Sequence, residues 1–265
     1  MRFAKAHAYG NDFLYVSETL LDGVALDQLA QQMCDRHTGV GADGLVLYDK
    51  RGASVVMRLL NSDGSRAEVS GNGVRALGAL VLLDEGQVEV ELLIETAAGP
   101  KHLTRTSREG AHQTFRAAMG VPRHVKAITI EAAGEPVHAV IMDLGNPQCV
   151  VLGTLPSPER FSKLGAAIER HPLFPNRTNV EFAEVEAPDR VRILIWERGC
   201  GPTMSSGTGS CAALVAAAHG GGSHRAADVI APGGTQHVLW DESGVYLTGW
   251  AEVVCEGEWL LPLPR

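Results

Sequence analysis

Apolar residues recur along this chain at two spacings. Helical spacing appears at Leu26, Leu29 and Met33, with Ala30 beside Leu29, and again at Phe161, Leu164 and Ile168. The first run stops at Arg36-His37 and Gly39; the second opens with Ser157 as N-cap and Pro158 in the first helical position. A period of two appears at Val55, Met57 and Leu59 ahead of Asn61, and at Val191, Ile193 and Ile195 ahead of Glu197. Short apolar strands follow Gly10-Asn11 (residues 13–16) and Gly145-Asn146 (149–152). Ser70-Gly71-Asn72-Gly73 leads into a helical run over 74–82, and Ser206-Gly207-Thr208-Gly209 into another over 210–218.

Each of these five features returns 135 or 136 residues later, in the same order. Chance recurrence of common αβ vocabulary does not keep order and offset together, so the chain reads as an internal repeat. The prediction is two similar α/β halves, 1–118 and 119–253, with the tail 254–265 returning to the first. Further strands are expected at 88–94, 138–142 and 245–253. Short turns between many strands predict mixed or largely antiparallel sheets, each around a central, Ala-rich helix, an α+β arrangement. Pseudo-twofold symmetry would then aim the two Gly-rich turns at one another across the cleft between the halves.

The 265 residues are 45% hydrophobic and 20% charged, a folded and not a disordered composition. A net charge of −8 disfavours a nucleic-acid binder, which would be basic. The charge-free apolar stretch 76–83 is far too short to cross a bilayer. Arg2, Lys5 and His7 open the chain without the apolar core of a signal peptide. Five cysteines with no Cys-x-x-Cys pair make neither a disulfide framework nor a zinc site, so a reduced, cytoplasmic protein is expected. The ten histidines include no His-x-x-x-His pair with a glutamate between, and no metal or cofactor is predicted. Gly39 to Gly44 spell G-x-G-x-x-G, but the run follows a helix and opens the strand 45–48, the wrong context for a dinucleotide. His37 and His171 fall near helix ends, where a dipole role is the default.

The two turns carry the candidate chemistry. Glycine lets a ligand approach the backbone closely, and the first N–H groups of a helix lack internal partners and sit at its positive end. A Ser-Gly-x-Gly turn opening a helix is therefore an anion cradle. The bland reading makes Ser70 and Ser206 plain N-caps; a symmetric pair within a repeat favours a site for one small carboxylate.

Several motifs resemble the diaminopimelate epimerase family over nearly the whole length. They are Gly10-Asn11-Asp12-Phe13, the run from Cys34 to Gly44, Asn61-Ser62-Asp63-Gly64-Ser65 and Gly71-Asn72-Gly73-Val74-Arg75 in the first half. Gly145-Asn146-Pro147, Thr178-Asn179-Val180-Glu181-Phe182, Glu197-Arg198-Gly199 and Gly207-Thr208-Gly209 follow in the second. The resemblance implies a cofactor-independent amino-acid epimerase of lysine and cell-wall biosynthesis, a pseudo-symmetric pair of α/β halves, and a small amino acid with two carboxylates as ligand. It leaves a homodimer open. By position, it implies that Asn11, Asn61, Asn146, Asn179 and Arg198 hold the distal end of the substrate. Arg198 offers the planar fork that suits a carboxylate. The amides of Gly71-Asn72 and Gly207-Thr208 would cradle the reacting carboxylate, and Glu197 would orient the site.

Four positions depart from the family pattern. The family places a cysteine before each Gly-rich turn; here both are serine, Ser70 and Ser206. A hydroxyl is a far weaker acid than a thiol and needs an activating base. Gln148 stands where histidine usually follows Gly-Asn-Pro, and Gly44 where many members carry a polar residue that touches the ligand. Cys34, Cys149 and Cys211 fall at core positions and do not restore the pattern. Three readings follow: an isomerase of this family with weak or lost activity, a non-catalytic amino-acid binder of the same fold, and an isomerase of another small carboxylic acid.

Overall fold

The structure, a computed structural model, describes residues 1–52, 54–67 and 69–264. It divides into two compact units, one made of Met1–Ala117 with Gly249–Arg265, the other of Ala118–Thr248.

In the first unit β1 (Arg2–Ala8) and β2 (Asn11–Ser17) form a hairpin, and α1 (Leu26–Cys34) follows. Leu29, Ala30, Met33 and Cys34 are the buried stripe of α1 and pack on Leu14, Leu45, Leu47 and Leu60. The chain leaves α1 through a loop in which Val40 and Gly41 N–H return to the Met33 carbonyl, and Gly41 takes φ +81°. Then come β3 (Gly44–Arg51), β4 (Ser54–Asn61), the short β5 (Arg66–Ala67), α2 (Gly71–Val81), and β6 (Val90–Thr96), β7 (Gly99–Glu109) and β8 (His112–Gly120). Pairing is antiparallel except for β2 with β3 and β4 with β6. Val74, Ala76, Leu77 and Ala79 of α2 are buried, and Gly78 lets the helix close onto Leu103 and Phe115.

The second unit repeats that order of elements. After the hairpin β9 (Arg123–Ala132) and β10 (Glu135–Asp143) come β11 (Pro147–Leu152), α3 (Pro158–Glu169), β12 (Asn179–Ala187), β13 (Arg190–Glu197), β14 (Gly201–Thr203) and α4 (Gly207–His219). β15 (Ala226–Ala231), β16 (Gly234–Asp241) and β17 (Gly244–Glu258) follow; β17 passes into the first unit at Gly249, and its last residues pair there with β1 from Arg2↔Glu258 onward. β11 with β12 and β13 with β15 are the parallel pairs. α4 is apolar on every side: Cys211 to Ala217 are all buried, against Val150, Ala183, Ile193, Ile195, Val229 and Leu247. Burying Leu214 or Val215 there contributes about 1.5–3 kcal/mol each.

The expected sheets, helix by helix, are thus present as mixed sheets in an α+β fold. Three details differ from the sequence reading. α2 and α4 begin three residues earlier than the apolar runs, directly after the two serines, because Gly71 to Gly73 and Gly207 to Gly209 are themselves the first helical turn. The strand expected at 88–94 runs over Val90–Thr96, and 87–89 instead lie against Arg105, which donates to the Gln87 and Val88 carbonyls. His37 and His171 lie beyond the last turns of α1 and α3, neither of which holds a basic residue. Among the described residues no helix is long and apolar enough to cross a membrane.

Candidate active site

Ser70 is the N-cap of α2 and Ser206 the N-cap of α4. Each is in extended backbone, and each Oγ accepts a bond of 3.1 Å from the N–H three residues on, Gly73 or Gly209. The hydroxyl protons remain available to donate. The N–H groups of Gly71 and Asn72, and of Gly207 and Thr208, have no partner inside the helix. Two half-buried hydroxyls therefore stand at the positive ends of two buried helices.

In the first unit a polar chain runs away from the α2 turn. Arg75, fully buried, donates to Asn72 Oδ1. Asn72 Nδ2 reaches Asn11 Oδ1 at 3.3 Å, and Asn11 Nδ2 reaches Asp43 Oδ2 at 2.7 Å. Arg36 then bridges Asp43 and Asp12 at 2.8 and 2.7 Å, and Lys5 Nζ lies 3.0 Å from Asp12 Oδ2. Burial works against the Asp12 carboxylate, but hydrogen bonds from Arg36 and Lys5 outweigh it and hold the group below its usual range. Tyr15 Oη donates to the Gly73 carbonyl at 3.0 Å and fixes the turn from below. Asn61 ends β4 exposed, its Nδ2 on Ser65 Oγ at 2.9 Å, apart from this chain.

In the second unit Asn146 Nδ2 lies 3.4 Å from Thr208 Oγ1, and Asn146 Oδ1 accepts from Gln148 Nε2 at 2.6 Å. Gln148 is buried, and its Oε1 has no hydrogen-bond partner among the described residues. Asn179 Oδ1 accepts the Arg198 N–H at 2.8 Å, so the head of β12 holds the turn after β13. The exposed Arg198 guanidinium makes one contact among the described residues, 3.4 Å to the Asn176 carbonyl, and Glu197 beside it is half-buried. Glu169, at the end of α3, braces the same turn. It accepts from Trp196 Nε1 and Gly199 N–H, each at 2.9 Å, and from Arg177 at 3.3 Å.

Two departures noted in the sequence acquire physical content. Gly44 opens β3 where a side chain cannot enter freely: a Cβ would lie 2.7 Å from the Leu60 carbonyl oxygen and 3.3 Å from Phe13 and Leu59. The cysteines near the site are not substitutes for the missing thiols. Burial first, then Asp12 and Asp43, push the Cys34 thiol up to about 12, and burial and Glu181 push Cys149 up as well, so both stay protonated. Sequence reasoning missed Glu169 and the buried Glu181. For Glu169 one signal existed, a carboxylate in the last turn of a helix, where a cation is favoured.

The comparison with known proteins now decides the family. The diaminopimelate epimerase family model matches residues 3–125 and 140–254. The chain belongs to the diaminopimelate epimerase family. A diaminopimelate epimerase of Desulforudis audaxviator is 41% identical over 98% of this chain and 99% of its own. One of Pelotomaculum thermopropionicum is 39% identical over 98% of this chain and 99% of its own. Solved structures share the fold at low identity. A hydroxyproline epimerase of Agrobacterium vitis, with bound trans-4-hydroxy-L-proline, superposes with TM-score 0.68 at 18% identity, over 97% of this chain and 91% of its own. A methylitaconate isomerase gives 0.65 at 13%, over 97% and 95%. The family is one of isomerases, and the α+β fold is the one its relatives share.

Proposed function

We propose that this chain is an isomerase that inverts the α-carbon of LL-diaminopimelate to the meso form without a cofactor, slowly because both turn residues are hydroxyls. The observation that carries the reading is the pair of N-capping serines, Ser70 and Ser206, each with its Oγ already accepting and its proton free to move, each beside two helix-terminal amides. In this reading one serine oxygen, deprotonated, takes the α-proton, the electron pair passes into the substrate carboxylate, and the other, protonated, gives its proton to the opposite face, so that the two exchange protonation states. The amides of Gly71-Asn72 and Gly207-Thr208 stabilise the charge that develops on the carboxylate. Asn11, Asn61, Asn146, Asn179 and Arg198 hold the distal amino-acid end, and Glu197 orients the site. The intact Arg198 fork favours a second carboxylate on the ligand.

A positioned acid or base contributes ~10²–10⁴-fold, and a hydroxyl forfeits much of that on each face. The test follows α-deuterium exchange from either stereoisomer of diaminopimelate, alongside thermal shift. Little exchange is expected from the chain itself and appreciable exchange from Ser70→Cys with Ser206→Cys, with Gln148→His raising it further. Exchange by the unmodified chain at ordinary enzyme rates would overturn the hydroxyl argument. A thermal shift without exchange in any variant would leave the binding-module reading in its place.

A further inference from the structure

Glu181 sits in the middle of β12, between Val150 of β11 and Ile195 of β13, on the face that packs against α4. It has no solvent exposure, and among the described residues neither carboxyl oxygen has a hydrogen-bond partner. Its place relative to the turn is fixed by Gly209. A Cβ on Gly209 would lie 2.7 Å from Glu181 Oε1 and 3.1 Å from Ser206 Oγ, so the absent side chain leaves one small space that the carboxyl and the hydroxyl share. Gln148 Oε1, Thr203 Oγ1 and Ser205 Oγ are likewise buried without partners in the same unit. Orphaned buried polar groups are rare and call for a physical reason. A leucine would fill a core position on β12 at no desolvation cost, so packing does not supply one.

We propose that Glu181 is a positioning residue that serves Ser206 as its proton partner, carried as the uncharged acid under the α4 turn. This rests on the isomerase reading and deepens it. When the α-carbanion is protonated on this face, its electron pair takes the proton of Ser206 Oγ–H to form the new C–H bond. The Oγ–H bond breaks, the Glu181 carboxyl closes onto Oγ across the space at Gly209 and passes it the O–H proton, and the negative charge ends on the Glu181 carboxylate. Proton abstraction on this face is the same sequence reversed. Burial first, and then the Glu197 carboxylate, push the Glu181 carboxyl well above its ordinary range, which keeps the proton in place at neutral pH. The titratable groups that face it are Glu197 on β13 and Cys149 on β11; the first turn of α4 brings no charge. The first unit has no counterpart. Residues 45 and 46, at the repeat offset from Glu181, are leucine and valine. At this position, therefore, the first unit offers Ser70 no such partner.

The test introduces a thiol as a reporter, which needs no turnover. In Ser206→Cys, the pH dependence of iodoacetamide alkylation gives the thiol midpoint. Adding Glu181→Gln should move that midpoint upward by about one pH unit or more, because the thiolate loses its acid donor. Equal midpoints, or a downward move that marks Glu181 as already ionised, overturn the proposal. Should the glutamine chain melt early, Glu181→Met supplies the same comparison. In the Ser70→Cys and Ser206→Cys background, Glu181→Gln should slow α-deuterium exchange ~10²-fold or more and flatten its pH profile. Unchanged exchange and profile overturn the proposal and leave the isomerase reading standing. A shifted midpoint with no exchange in any variant overturns the isomerase reading and leaves the proton coupling standing.

Discussion

Glu169 is the sharpest test of how the second unit holds its Arg198 turn. Its carboxylate closes α3, where the helix dipole disfavours a negative charge by ~0.3–1 kcal/mol. It is nonetheless only 3% exposed. Its hydrogen bonds must therefore outweigh both burial and dipole. Replacing it in Glu169→Ala strips the acceptor from Trp196 Nε1 and Gly199 N–H. Bonds to a charged group contribute about 1.5–3 kcal/mol each, and the half-exposed Arg177 adds little. Part of the loss is returned by water at the exposed Gly199 and by relief of the dipole, leaving a net cost of about 2–4 kcal/mol. Glu169→Gln keeps one accepting oxygen and should lose about half of that. The pH dependence has a definite sign. Burial raises the carboxyl and the three donors lower it further, so the folded value lies below the ordinary one. The group then contributes stability above its unfolded pKa and loses that contribution as pH falls through the folded value. Urea melts followed by fluorescence should show the gap between the chain and Glu169→Gln at neutral pH and its shrinkage in acid. A Glu169→Ala cost below about 0.5 kcal/mol, or a gap independent of pH, refutes the argument.

Gly165→Ala places a Cβ 2.7 Å from the Trp196 ring, and overpacking of about 1–3 kcal/mol should outweigh the better helix propensity of alanine; a raised Tm would contradict this. Gly44→Thr meets the Leu60 carbonyl and should cost a comparable ~1–3 kcal/mol, read as a lowered Tm, whereas a tolerated threonine would show that β3 can shift to admit a polar side chain. Arg105→Met removes a fully buried guanidinium that donates to the carbonyls of Leu82, Glu85, Gln87 and Val88 and to Gln113 Oε1. The expected loss is at least ~3 kcal/mol, with new proteolytic cleavage between 82 and 90; an unchanged digestion pattern would refute the pinning role.

Local chemistry made much of this protein legible from its sequence. The buried stripe of α1, the Ser157-Pro158 start of α3 and the alternation of β4 and β13 depend on residues close in the chain, and so did the capping of α2 and α4 by Ser70 and Ser206. The 135–136 residue offset and the family motifs placed the candidate site on two Gly-rich turns, because those turns are themselves short local structures. Only the tertiary structure decided what stands behind them. Glu181 is separated from Ser206 by 25 residues and reads, within an apolar strand, as one polar position among alternating ones; its burial follows from α4 closing over β12 at Gly209. Glu169 looks like a misplaced helix-end acid until Trp196 of β13 and Gly199 of the turn after it arrive. Gly44 looks like a lost contact residue until Leu60 of β4 is seen to occupy the space of a side chain. In each case the energy lies in a desolvated contact between strands distant in sequence, and no spacing along the chain encodes which groups will lose their water together.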